Sequence, residues 1–130
     1  MIRLWTPETM LQPASRYSQL ALAEGATRRL EIAGQVGLGP DGTLAEGLAA
    51  QLDTAFANVD AALAAAGMSR ADLMKITVYL TENTGEAVAT YRARRDAWVG
   101  EGTPPAATLL IVAGLASPAW LVEVDAVAAD

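Results

Sequence analysis

Cysteine and histidine are both absent from the 130 residues. That excludes disulfides, thiol nucleophiles, Ser-His triads and any zinc site built on imidazole or thiolate. What remains for chemistry is carboxylates, hydroxyls, Arg, Lys and backbone. No loop carries the alternating Asp spacing of a hard-cation site, so no metal is expected. Charge is also sparse, at 18% of residues, and Asp plus Glu (15) outnumber Lys plus Arg (9) to leave a net charge of −6. Binding to nucleic acid needs clustered cations against phosphates, so the composition disfavours an RNA endonuclease and no nucleic-acid partner is expected. The segment Met1 to Glu8 lacks a basic stretch followed by an apolar one, and no apolar run reaches the roughly 18 residues of a spanning helix. The expectation is a soluble, cytoplasmic protein with no membrane partner.

What is abundant is apolar: 52% of residues are hydrophobic. A chain of this length fits one domain over 1–130, and its surplus of apolar residues points to a subunit interface. Ile2 to Trp5 reads as a short edge strand stopped by Thr6-Pro7. Tyr17 to Ala23 and Arg28 to Ala33 read as a hairpin about Glu24-Gly25-Ala26-Thr27, and Gly34 to Gly42 as a glycine-rich loop. This loop is not a phosphate cradle, because no Gly-Lys-Ser/Thr follows it.

From Glu46 to Ala66, Leu48, Leu52, Ala55, Phe56, Val59, Ala62, Leu63 and Ala66 recur at helical spacing, and Gly67 ends the helix. Ser69 to Asp72 predicts one short turn. Lys75 to Thr81 then alternates Ile76, Val78 and Leu80 with polar residues, as a half-buried strand does. Thr84 to about Gly100 predicts a second helix, with Arg92, Arg94 and Arg95 on its solvated arc, partnered by Glu86, Asp96 or another acid. Two late strands follow. Leu109 to Val112 is apolar on both faces, which a subunit contact explains, and Val122 to Asp125 sets Glu123 within an apolar run. Glu123 reads either as a general base and water-holder or as a structural carboxylate paired across an interface. The resulting class is α+β: one mixed sheet with two helices packed on one face, in the order β-β-β-α-β-α-β-β.

Several segments, taken together, resemble the Rid (reactive intermediate deaminase, YjgF-like) family: Tyr17-Ser18-Gln19, Ala33-Gly34-Gln35, Gln51, Ala65-Ala66-Gly67-Met68, Met74 to Leu80, Tyr91, Pro104 to Val112, and Leu121 to Ala128. The resemblance implies a chorismate-mutase-like sandwich, a homotrimer with three small-molecule clefts at its subunit boundaries, and hydrolysis of imines and enamines without a cofactor. It also implies roles by position: Glu123 as the family's glutamate, Gly34 and Gln35 as the turn beside the cleft, and Tyr17 and Tyr91 as cleft-lining aromatics. In the family a proline-alanine-arginine entry grips the substrate carboxylate, but here the third position is Ala107, followed by Thr108, a hydroxyl that can bond a ligand. Alanine donates no hydrogen bond, so the substrate either lacks that carboxylate or is gripped elsewhere. A non-catalytic metabolite-binding trimer is the alternative. Arg16, beside Tyr17, reads as a surface residue or as a reach into the cleft.

Overall fold

The computed structural model describes residues 2–130. Its largest sheet is built from Arg29–Val36 (β3), Leu73–Leu80 (β4), Ala106–Ile111 (β5) and Val122–Ala129 (β6), in the order β3-β6-β4-β5. β4 and β5 run parallel and the other pairs antiparallel, so the sheet is mixed. Ile2–Trp5 (β1) pairs with Leu20–Ala23 (β2) in a two-stranded ribbon beside it. A single parallel bridge, Ser18 to Ala106, joins the chain leading into β2 to β5.

The expected hairpin between the second and third strands does not form. Gly25, at φ 67, turns the chain, but β2 is already paired with β1, and β3 finds its partner in β6, Ile32 facing Ala126. That pairing puts Leu30 and Ile32 on the same face as the alternating Val and Ala side chains of β6, where they can be buried. Arg28 locks the register. Its backbone exchanges hydrogen bonds with Asp130, and its side chain forms an ion pair with the Asp130 carboxylate. The loop expected at Gly34 is also corrected: β3 continues through Gly34 and Gln35 to Val36, with a bulge between Ile32 and Gln35.

Leu48–Ala65 (α1) and Gly85–Val99 (α2) cover one face of the sheet. α1 ends as the glycine predicts. Gly67, at φ 71, lets its own N–H reach Ala64 O and the Met68 N–H reach Leu63 O, closing a Schellman motif with Met68 and Leu63 both in the core. Thr84 caps α2 by accepting from the Ala87 N–H at 3.1 Å. Phe56 of α1 stacks on Trp98 of α2, with ring centroids 4.4 Å apart. Ile76, Val78, Leu80, Val122 and Val124 complete the core beneath the helices. Each such side chain contributes about 1.5 to 3 kcal/mol on burial, far above what the exposed ion pairs offer.

Two polar residues hold loops onto α1. Gln51, buried, donates to Ala119 O and accepts from the Leu121 N–H, tying down the β5–β6 connection. Asn58 donates to Val36 O and Leu38 O where β3 ends.

Candidate functional site

The register decides which side chains share a face. Ile76 pairs with Ala107 and Ala126, so Ala107 lies on the helix-covered face. Thr77 pairs with Thr108 and Asp125, and Tyr79 with Glu123, so these lie on the open face. That open face is mostly polar on its central strands, Val127 apart, and apolar toward β5, where Leu110 is 45% exposed. The expectation of a late strand apolar on both sides holds for β5, whereas β6 alternates carboxylates with valine and alanine.

A cleft of about 360 Å³ lies at the β5 edge, between the start of that strand, the segment 15–19 and α2. Tyr17, Tyr91, Ala107 and Thr108 line it together with Arg92 and Arg95. Ser18 builds the wall: its hydroxyl donates to Pro104 O at 2.7 Å and its N–H to Pro105 O at 3.1 Å, which swings Tyr17 beside β5. α2 supplies the opposite wall, because Tyr91 and Arg95 are four residues apart and share a helix face. Lys75 Nζ donates to Thr108 Oγ1 at 2.8 Å.

Glu123 and Gly34 form a separate group. The Glu123 side chain lies across the Gly34 backbone, where a Cβ would meet its Cδ at 2.6 Å. Gln35 follows on β3, and its Nε2 donates back to Ala33 O at 3.0 Å. Next to Glu123, Tyr79 Oη donates to Asp125 Oδ2 at 2.8 Å, and that bond, with some desolvation and the two nearby carboxylates, raises the phenol above its ordinary range. Glu123 is half-buried and makes no ion pair among the described residues. Within one protomer β4 separates it from Thr108, a gap of about 10 Å across two strand spacings. Within one chain the two groups thus do not touch.

One expectation about arginine needs revision. Arg95 is not on a solvated arc: it is 2% exposed, against the Tyr91 ring. The signal for this is its spacing from Tyr91. Arg94 does sit outside, bidentate on Asp53 at 2.7 Å. Arg16 turns from the cleft to donate to Gly100 O and Gly102 O, at the C-terminal end of α2. Sequence reasoning also passes over Lys75, Tyr79 and Asp125. No group of three or more acidic side chains among the described residues is close enough to hold a metal, and no helix among them is long and apolar enough to cross a membrane.

Two helices on one face of a mixed sheet, with a small cleft at the sheet edge, define an α+β protein of the chorismate-mutase-like kind. The chain belongs to the Rid (YjgF-like) family, whose family model, described as Endoribonuclease L-PSP, matches residues 7–130. It is 39% identical over 83 residues to a RutC family protein of Aquifex aeolicus, the match spanning 63% of each chain. In shape it is similar to a Rid family protein of unknown function, YyfB, from Yersinia pestis, at TM-score 0.91, 30% identity and coverage of 99% and 98% of the two chains. RidA from the Antarctic bacterium Psychrobacter (TM-score 0.73, 29% identity, 92% of each chain) is also similar. So is E. coli TdcF with bound serine (TM-score 0.73, 25% identity, 93% and 91%).

Proposed function

We propose that this chain forms a homotrimer whose clefts, each completed by two copies, hydrolyse a small imine or enamine without a cofactor. One observation carries the reading: the Glu123–Gly34 group and the Tyr17–Tyr91–Thr108 cleft lie apart in a single protomer, while the outer edge of β5 beyond the Ser18–Ala106 bridge carries no partner strand and leaves Leu110 and Ile111 exposed. Seating a neighbour on that apolar edge covers it and offers Glu123 of one copy a route to the cleft of the next. The serine bound in the similar E. coli TdcF supports a cleft of small-molecule size.

In this reading Glu123 accepts a proton from water as the water oxygen bonds to the imine carbon, and the nitrogen takes up a proton. The carbinolamine then collapses: the C–N bond breaks, ammonia leaves, and a carbonyl forms. Overall, one imine and one water give one carbonyl compound and one ammonia, with no change of oxidation state. The test is ammonia release from small imines, one neutral and one carboxylate-bearing, generated in place by a flavin amine oxidase and an amino-acid oxidase, with sedimentation velocity run alongside. Wild type is expected to sediment as three copies and to accelerate release, and Glu123→Gln to lose the acceleration. A monomer, or equal rates for both proteins, would sink the proposal.

Ala107 favours a second reading, a trimer that binds a metabolite without turning it over; saturable binding with no ammonia release selects it. RNA cleavage, suggested by the family's description, is opposed by the net charge of −6.

A further inference from the structure

Arg95 is almost wholly buried, yet it is weakly compensated. Its Nε and Nη2 both reach the same oxygen, Asp96 Oδ1, at 3.1 Å, and its Nη1 stands 3.5 Å from Tyr91 Oη. Arg94, one residue earlier, shows what full pairing looks like in this chain: two bonds of 2.7 Å to the two oxygens of Asp53. Charged hydrogen bonds run at about 2.7 to 2.9 Å when well made, so Arg95 keeps donor capacity at the place where its charge is least hydrated.

Asp96 apart, the cleft around that capacity is uniform in sign. Arg92, one turn away on α2, lines the same cleft and takes part in none of the ion pairs of the described residues. No carboxylate lines the cleft, in a chain where acids outnumber bases. Thr108 brings no charge to the cleft: its side chain is turned to the open face, where the hydroxyl accepts from Lys75 Nζ. Ala107 contributes only a methyl group, leaving the volume that a longer side chain would fill.

We propose that Arg95 and Arg92 bind the carboxylate of a small anionic ligand, so that the grip missing from β5 is supplied by α2. The inference rests on the cleft being a ligand site, and it narrows the substrate of the proposed hydrolysis to a carboxylate-bearing imine. Of the two alternatives posed by Ala107, a substrate gripped elsewhere is the one chosen.

The experiment is calorimetric titration of the purified protein with 2-oxobutanoate, with its uncharged amide 2-oxobutanamide, and with inorganic phosphate. Wild type is expected to bind 2-oxobutanoate saturably and at least tenfold more tightly than the amide or phosphate. Arg95→Gln should weaken the carboxylate by about 10- to 100-fold and Arg92→Gln by a smaller factor, leaving the amide unchanged. Arg92 is exposed, so its variant keeps the test open if Arg95→Gln fails to fold. Equal affinity for acid and amide, phosphate binding as tight as the carboxylate, or a carboxylate affinity indifferent to Arg92→Gln would overturn the assignment. Ammonia release from a neutral imine with no saturable binding of 2-oxobutanoate sinks this inference alone. Carboxylate binding with no turnover of any imine sinks the hydrolase reading and leaves this one standing.

Discussion

The Glu123 carboxyl group lies directly over the Gly34 backbone, with Cδ 2.6 Å from where a Cβ would stand. Gly34 has no positive φ, so the glycine is required for the space its missing side chain leaves. In Gly34→Ala the flexible end of Glu123 must move aside. Thermal unfolding should change by less than about 1 kcal/mol, because a half-buried side chain can relocate. Turnover should fall with KM little altered, since Glu123 is proposed to act on the reacting carbon and its displacement removes transition-state stabilisation.

Gly37 offers the contrast. A Cβ there would meet Gln51 Cβ at 2.7 Å and its Cα at 2.9 Å, and that Cα belongs to α1. A helix backbone cannot step aside as a carboxylate does. Gly37→Ala should destabilise by about 1 to 3 kcal/mol, read as a lower denaturant midpoint with an unchanged slope.

How far these relationships are visible in the sequence depends on their range along the chain. The alternation of Ile76, Val78 and Leu80, the apolar stripe of α1 and the Gly67 stop are local, and the sequence alone places them correctly. The pairing of β3 with β6 is hidden, because an adjacent turn signal at Glu24 to Thr27 favours a hairpin. Only the competition between β1 and β6 for partners decides against it. Arg95 illustrates a different failure: polarity argues for the outside, while its four-residue spacing from the buried Tyr91 argues for the inside. The close approach of Glu123 to Gly34 is a contact between β6 and β3 that no local pattern announces.

Two phenols ionise above the ordinary tyrosine range, for different reasons. Burial raises Tyr91, and the hydrogen bond to Asp125 raises Tyr79. A raised phenol pKa means the native state keeps its proton where the unfolded chain has lost it. The stability this contributes is present below about pH 10, the unfolded value, and is lost as pH climbs through the native values. The ultraviolet absorbance of tyrosinate should therefore show the two titrating late, and the urea midpoint should drop above about pH 10. Tyr79→Phe should remove one of the late phenols and flatten part of that drop. A native titration of both phenols at or below their ordinary range would contradict the environments described.

Restoring an arginine on β5 tests whether the two positions serve one ligand. Ala107 and Arg95 line the same cleft, so a guanidinium reaching in from 107 and one held on α2 would meet the same carboxylate. In wild-type background Ala107→Arg adds a third cation next to Arg92 and Arg95, and the gain in 2-oxobutanoate affinity should be small, because like charges offset the new bond. In the Arg95→Gln background the repulsion is relieved, and Ala107→Arg should recover most of the lost affinity. The double-mutant cycle is then strongly non-additive, with a coupling of about 1 kcal/mol or more between positions that belong to different elements. Additive effects would mean that the two side chains reach different ligands or different parts of the cleft, and α2 would lose its place as the anion grip.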